Sequence, residues 1–259
     1  MANLLRSAKS GSDWTANELL SYNIKVVEQS FADFFQEANL PPVSEDVRSF
    51  VETLDRAAAK LANDEDTYKL LHHLDLAHDP KMGQEAAVDS FAEKLLEKLG
   101  YASGFRIILT RQSLPLLICG SNCSAQTDVC ICDEDDILLL VQEDKRLSDK
   151  DIDPEPQLIA EAIAAYQRNN RTRQRDLHLP ILEEITFPAI TLVGTFPTFY
   201  KVKVTAELNN AIVTGSFPAV ETIVLRHIPR LPRRNSEGMK PLENRNVIVR
   251  YFEAFRRFV

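Results

Sequence analysis

Three charged residues near the middle of the chain have the types and spacing that suit a divalent cation beside a phosphate. Asp128 precedes the apolar segment Val129–Cys132, and Glu143 and Lys145 follow the apolar segment Ile137–Val141. Proteins hold Mg²⁺ with one or two carboxylates and leave its other positions to water and substrate oxygens. A lysine ammonium adds a compact positive charge for the phosphate. These residue types indicate the metal-assisted hydrolysis of a phosphodiester.

A β-hairpin is the element that must position these residues. The two apolar segments flank the acidic tetrad Asp133–Asp136, and Asp residues favour turns. A two-residue turn at the centre of the tetrad pairs Cys132 with Ile137. In that register Asp128 lies opposite Val141.

Alternation along the strands then decides which side chains meet. Side chains point to opposite faces with a period of two, so Asp128, Glu143 and Lys145 are predicted to share the face of Val141. A three- or five-residue loop would break this parity. The alternative is a chance arrangement, because acids at strand ends and a lysine after a buried strand are common.

A longer stretch carries a resemblance to a known superfamily. The sequence GSNCSAQTDVCICDEDDILLLVQEDK, followed by DPEPQLIAEAIAAYQ, resembles the PD-(D/E)xK phosphodiesterases, the fold of many restriction and repair nucleases. More narrowly, it resembles a nuclease-like family common in mushroom-forming fungi. The resemblance extends from Met82 to the C-terminus. It implies a restriction-endonuclease-like core.

The resemblance assigns a role to each residue of the motif. Asp128 and Glu143 would bind Mg²⁺, and the backbone carbonyl of Asp144 would be a further ligand. Lys145 would orient the attacking water and offset charge in the transition state. One departure is Thr127, which stands where the superfamily usually has proline.

A fourth acid is expected from the helix predicted over Met82–Leu99. The apolar stripe of this helix contains Val88, Phe91, Ala92, Leu95 and Leu99. Glu85 falls on the same stripe, and a buried carboxylate needs a partner. The resemblance implies that this first core helix supplies an acid, and Glu85 matches that position. The alternative is a first-turn glutamate that reaches solvent.

The helix predicted from Pro156 to Arg168 offers one more polar pair. In the superfamily this helix sometimes carries Gln and Tyr four residues apart. Here Gln157 is followed four residues later by Glu161, so the two share a helix face that can reach the site. The alternative is a pair of exposed polar residues at a helix start.

Other metal chemistry has weaker support in the sequence. The four cysteines are Cys119, Cys123, Cys130 and Cys132, and their spacing lacks the C-x₂-C pairs of structural zinc sites. Three histidines lie on or near one acidic helix, without a spaced partner motif: His72, His73 and His78. No serine elbow, phosphate-binding glycine loop or dinucleotide fingerprint is present.

Composition bounds the class of protein. The 259 residues are 44% hydrophobic and 26% charged, which is ordinary for a globular chain. We expect an intracellular protein, in cytosol or nucleus, because no signal peptide or membrane-spanning run is apparent. Four cysteines without a disulfide pattern agree with a reducing compartment.

Charge is distributed unevenly along the chain. The net charge is −8, yet the segment from Arg226 to Val259 has nine Lys/Arg and three Asp/Glu, a net of +6. We expect a basic loop over Pro229–Pro241 and a strand face with Lys201 and Lys203 to approach nucleic acid. The alternative is that these cations offset acidic neighbours.

The predicted fold is α/β, a mixed β-sheet of about five strands centred on the hairpin and flanked by the Met82 and Pro156 helices. An N-terminal helical region covers residues 1–80, and the nuclease-like core covers 81–259. The predicted helices of the first region include Trp14–Gln36, Ser44–Ala62 and Asp66–Leu76.

The leading hypothesis is a Mg²⁺-dependent nuclease (Mn²⁺ as a possible substitute), with DNA favoured over RNA as substrate. Its predicted site residues are Asp128, Glu143, Asp144, Lys145, Glu85 and Gln157. The rival hypothesis is a catalytically inactive binding or interaction module that keeps the nuclease fold. Its oligomeric state cannot be inferred from sequence.

Overall fold

The computed structural model describes residues 6–79, 86–134, 136–144 and 153–259, with the backbone alone described at 143 and 144. The strands are β1 (Ile24–Glu28), β2 (Arg106–Ile118), β3 (Ser121–Asp133), β4 (Asp136–Asp144), β5 (Glu184–Val193), β6 (Phe196–Thr205) and β7 (Thr222–His227). The helices are α1 (Ala16–Ser21), α2 (Phe31–Phe35), α3 (Glu45–Glu52), α4 (Arg56–Leu61), α5 (Glu65–His78), α6 (Ala87–Lys98), α7 (Glu155–Arg175), α8 (Ala206–Thr214) and α9 (Leu242–Phe255).

These strands form a single mixed sheet in the order β1-β7-β6-β5-β4-β3-β2. The pairs β1/β7 and β4/β5 are parallel, and the other neighbours are antiparallel. The predicted α/β class with a mixed sheet flanked by helices is therefore confirmed. The sheet has seven strands in the described chain, against about five predicted. The hairpin of β3 and β4 lies toward one end of this sheet, not at its centre as predicted.

The first strand was predicted as helix. The predicted helix Trp14–Gln36 is wrong, because α1 ends at Ser21 and Asn23 takes a left-handed conformation (φ 53°). The chain then enters β1, whose Ile24, Val26 and Val27 are β-branched and suit a strand. Pairing with β7 supplies the backbone hydrogen bonds of β1. The apolar residues of this segment also fit a helical spacing, so the sequence pattern did not indicate the pairing.

A second predicted helix is split. The helix expected over Ser44–Ala62 divides into α3 and α4, because Thr53 is extended (φ −85°, ψ 123°). Asp55 then starts α4, and its side chain accepts a hydrogen bond from the backbone N–H of Ala58. A short polar side chain at an N-cap is a strong helix start, and here it overrides the continuous apolar pattern.

The later elements follow the sequence more closely. α5 and α6 lie where helices were predicted, and Gly100 (φ 73°) follows Leu99, the C-cap residue of α6. α7 continues to Arg175, seven residues beyond its predicted end. The turn between β5 and β6 lies at Gly194–Thr195. α8 was not predicted.

Two hydrophobic cores cover the two faces of the sheet. On the face that we call the α6 face, Val129 and Val141 pack with residues of α5, α6 and α9. On the opposite α7 face, Cys130 and Leu140 pack with α7. Both cores contain residues from before and after the predicted boundary at residue 80, which itself adjoins residues outside the described chain.

No helix in the described residues combines the length and the apolar character that crossing a lipid bilayer requires.

Candidate functional site

The central hairpin forms with the predicted turn. Cys132 pairs with Ile137 and Asp133 with Asp136, so the turn has two residues. Glu134, the first of them, has the positive φ (47°) that tight hairpin turns require. The sequence prediction is confirmed up to this point.

A β-bulge then changes the register. Ile131 pairs with Leu139, so Leu138 is an extra residue on β4, and Val129 pairs with Val141. The predicted pairing of Asp128 with Val141 is therefore wrong by one residue. A one-residue shift exchanges the faces of all later side chains.

Asp128 consequently lies on the α7 face, with Cys130, whereas Val141 belongs to the core of the α6 face. The predicted shared face of Asp128 and Val141 is wrong, and the bulge at Leu138 is the physical reason. Asp128 is almost completely buried there (9% exposed).

The other members of the predicted cluster are described only in part. The backbone of Glu143 pairs with Leu192 of β5, and that of Asp144 with Val193. The side chains of these two acids, together with the whole of Lys145 and Glu85, lie outside the described residues. The register that predicted them on one face with Asp128 is not the observed one, so their gathering around one cation rests on the superfamily resemblance and stays a prediction.

Asp128 lies where two strands diverge. The pairing of β3 with β4 extends as far as Val129 and Val141 in the described chain, while β4 continues along β5 to Asp144. On its other edge, β3 remains paired with β2. The buried hydroxyl of Thr127 donates to the carbonyl of Val129 at 3.0 Å and approaches that of Val141 at 3.4 Å. Asp128 therefore lies at a fork where the described pairing of β3 with β4 has ended.

Helix α7 brings a second carboxyl group to the fork. Glu161 is fully buried, and its pKa is raised well above the usual value by burial and then by the charge of Asp128. Its Oε1 accepts a hydrogen bond from Nε2 of Gln157 at 3.3 Å. The predicted shared face of Gln157 and Glu161 is thus confirmed, and it is Glu161 that lies beside Asp128.

Asp128 and Glu161 form a pair of neighbouring acids that we call the acid pair, and one oxygen of Glu161 is available to a ligand. Oε2 of Glu161 is buried and has no hydrogen-bond partner among the described residues. Two neighbouring carboxyl groups that are shielded from water cannot both be ionised unless a cation lies between them. Without a cation, one of them keeps its proton. An oxygen donor set of this kind fits a hard divalent cation such as Mg²⁺. The described side chains contain no larger group of His, Cys, Asp or Glu suited to a metal.

On the α6 face there is a further acid that the sequence analysis missed. Asp89 of α6 is buried, its Oδ2 lies 3.4 Å from Nε of Arg111, and its Oδ1 has no hydrogen-bond partner in the described chain. Arg111 has a left-handed backbone (φ 53°) in β2, at the register position level with Asp128. In the sequence Asp89 directly follows Val88 of the apolar stripe, and an acid at this position was the available signal.

Two cysteines occupy the α7 face beyond the acid pair. The Sγ atoms of Cys130 and Cys132 are 3.9 Å apart, and both thiols are buried and free. The hydrogen bond from Cys130, supported by the charge of Arg168, lowers the pKa of Cys132 to about 7. The same interaction and burial raise the pKa of Cys130.

Most of the predicted basic surface is engaged inside the molecule. Lys201 donates to the carbonyl of Phe34 at 2.5 Å and lies 3.9 Å from the ring centroid of Phe258, and burial lowers its pKa. Other cations contact acids or backbone carbonyls: Lys203 with Glu184, Lys240 with Asp75, Arg250 with Leu40 and Pro41, Arg256 with Leu99, and Arg257 with Glu37. These contacts favour the alternative in which the cations stabilise the fold. Arg230, Arg233 and Arg234 remain exposed.

No protein-family model matches the sequence, and a search of curated proteins finds no match either. The function is therefore argued from the site itself.

Proposed function

We propose that the protein is a metal-dependent phosphodiesterase, a nuclease whose centre is the acid pair at the fork between β3 and β4. The observation that carries the proposal is Glu161: a fully buried carboxyl with a raised pKa, beside Asp128 and with one oxygen unpartnered in the described chain. Burying such a group costs free energy, and a fold without a ligand has no need of it.

In this proposal each residue near the fork has a defined task. Asp128 and Glu161 supply carboxylate oxygens to the cation, and Gln157 holds Glu161 in place through its hydrogen bond. Bound Mg²⁺ would lower the pKa of a water molecule and offset the charge that develops on phosphorus oxygens. Glu143, Asp144 and Lys145 keep the ligand and water-orienting roles that the superfamily resemblance gives them. Glu85, which lies outside the described residues, keeps its predicted role as an acid from the start of the helix predicted over Met82–Leu99.

The architecture supports the restriction-endonuclease-like assignment. The motif stretch lies in a hairpin near one end of a mixed sheet, with α6 and α7 against opposite faces. The same order of elements is what the resemblance implies. DNA is proposed as the substrate ahead of RNA.

Cleavage assays with matched variants test the proposal. Purified protein is incubated with plasmid, single-stranded DNA and RNA, in Mg²⁺, Mn²⁺ or EDTA. The test variants are Asp128→Asn, Glu161→Gln and Lys145→Ala. The control is Glu155→Gln, which removes another buried carboxylate of α7 whose Oε2 already accepts from Arg226 at 2.9 Å.

We expect metal-dependent cleavage that falls at least about a hundredfold in each test variant, as for loss of a group that stabilises transition-state charge. The control should retain cleavage. Equal cleavage in all variants would identify a contaminant or another site. Absence of cleavage together with retained binding of nucleic acid would support the inactive binding module instead.

A further inference from the structure

A separate cleft of about 280 Å³ lies between the C-terminal half of α7, the end of β2 and helix α8. Its polar wall is formed by Gln167, Asn170, Arg171, Gln174, Arg175 and Asn209. We infer that this cleft binds the phosphate of a nucleotide unit, with the heterocyclic base against its apolar wall. This goes beyond the proposed cleavage activity and does not depend on it.

Hydrogen bonds with the backbone fix the amide groups of the cleft. Gln167 accepts from the N–H of Leu117 at 2.8 Å and donates to its carbonyl at 3.0 Å, so the orientation of its amide is determined. Gln167 also donates to Oδ1 of Asn209 at 2.9 Å. The oxygen of Asn209 is thereby occupied, and its Nδ2 is left to donate to a ligand.

The charges in the cleft are of one sign. Arg171 and Arg175 line it, and neither guanidinium has an ion pair or side-chain hydrogen bond within the described part of the chain. No Asp or Glu is among the described lining residues, although the whole chain has a net charge of −8. Paired guanidinium groups and amide N–H donors are the groups that bind phosphate oxygens.

A helix C-terminus alone accounts for part of this pattern. Lys and Arg are favoured in the last turn because they interact with the helix dipole. The dipole does not explain why the lining lacks acids, or why the amide of Asn209 is held with its nitrogen free. A ligand with negative charge explains all three features.

The size and the apolar wall narrow the class of ligand. The volume lies just below the ~300–1,000 Å³ typical of sites for drug-sized molecules, which suits about one nucleotide. Leu117, Ile181 and Val213 provide apolar surface for a flat base. A mononucleotide and the phosphorylated end of an oligonucleotide present this same chemistry.

The cleft is distinct from the acid pair. Ten residues of α7 separate Glu161 from Arg171, which is about 15 Å along a helix. Binding can therefore be measured in EDTA, where metal-dependent cleavage does not occur. A failure of this inference is then distinguishable from a failure of the nuclease proposal.

The test measures equilibrium binding by calorimetry in EDTA. The ligands are AMP, adenosine, inorganic phosphate, and a short single-stranded oligonucleotide with either a 5′-phosphate or a 5′-hydroxyl. The test protein is Arg171→Gln/Arg175→Gln, and the control is Lys25→Gln/Lys60→Gln, which removes the same charge from exposed positions outside the cleft lining. Asn209→Asp adds a single acid to the lining as an independent variant.

We expect the phosphorylated ligands to bind the unaltered protein and the control alike, and to bind at least tenfold more weakly to Arg171→Gln/Arg175→Gln and to Asn209→Asp. Adenosine should not bind. Saturable binding of AMP identifies a free nucleotide as the ligand, whereas binding of the 5′-phosphorylated oligonucleotide alone identifies a nucleic-acid end. No binding of any phosphorylated ligand, or an equal loss in the control, overturns the inference.

Discussion

Two buried ionisable side chains on opposite faces of the sheet differ in how completely their polar atoms are hydrogen-bonded. Arg245 of α9 is 1% exposed, and all its N–H groups donate to backbone carbonyls: those of Phe50, Thr53, Leu54, Met239 and Lys240. Glu161 of α7 is equally buried, but its Oε1 accepts from Gln157 at 3.3 Å and its Oε2 has no hydrogen-bond partner in the described chain.

We interpret this difference as one between a structural charge and a carboxyl group that serves the proposed site. The carbonyls around Arg245 belong to the C-terminal end of α3 and to the loop before α9. The guanidinium therefore links these two segments, and its N–H groups all have acceptors. Burial lowers its pKa to about 10, which still leaves it charged near neutral pH. Glu161 is held near Asp128 without such compensation, which is expected of a group reserved for a cation.

The largest effect is expected from Arg245→Met. This change leaves five carbonyls without their donor, and breaking a buried charged network typically costs about 3–5 kcal/mol. Thermal unfolding of the variant should begin roughly 10 °C lower than that of the unaltered protein.

Arg245→Lys is the control for that prediction. It keeps the charge but has fewer donors, so its unfolding temperature should lie between the other two. An unchanged unfolding temperature in Arg245→Met would show that this charge is not structural.

A smaller effect of opposite sign is expected from Glu161→Gln. Since the folded-state pKa of Glu161 is raised, the folded protein binds more protons than the unfolded chain above pH 4.5, and stability is lost as pH rises. The amide cannot ionise, so the variant should be more stable at pH 8 in EDTA, by a few degrees. Near pH 4 the two proteins should differ little.

Unfolding curves between pH 4 and pH 8 check this prediction. The control is Glu18→Gln: burial acts to raise the pKa of this buried carboxyl, but hydrogen bonds from Lys9 and Thr15 lower it overall, so this variant should lose stability at high pH, not gain it. A Glu161→Gln variant that is less stable at pH 8 would mean that Glu161 is ionised and compensated, like Arg245.

The smallest effect is expected from Thr127→Val. The variant loses the hydroxyl that donates to the carbonyl of Val129 at the fork, which is worth about 1 kcal/mol. Thr127→Ser keeps the hydroxyl and should be closer to the unaltered protein in urea unfolding. A loss as large as that of Arg245→Met would show that the fork depends on Thr127 for its structure.

The sequence predicts some of the site well, for physical reasons. The two-residue turn is encoded by the acidic tetrad, and the face shared by Gln157 and Glu161 follows from helical periodicity. The bulge is not predictable in the same way, because Leu138 fits the apolar run in either register. The acid beside Asp128 was therefore expected from β4, whereas the described residues place Glu161 of α7 there.

Longer-range features were harder to infer. β1 is stabilised by pairing with β7, almost two hundred residues later, which local spacing does not indicate. The basic C-terminal segment was expected to face a ligand, yet carbonyls and acids far away in the chain take up most of its cations.

Mg²⁺-dependent thermal unfolding tests the central claim most directly. A ligand at a hundred times its dissociation constant stabilises the folded state by about 2.7 kcal/mol, which is roughly 5–10 °C for a chain of this size. We predict such a rise in the unaltered protein and in Glu155→Gln, and none in Asp128→Asn/Glu161→Gln. No rise in the unaltered protein, or the same rise in the double variant, would contradict a cation site at the acid pair.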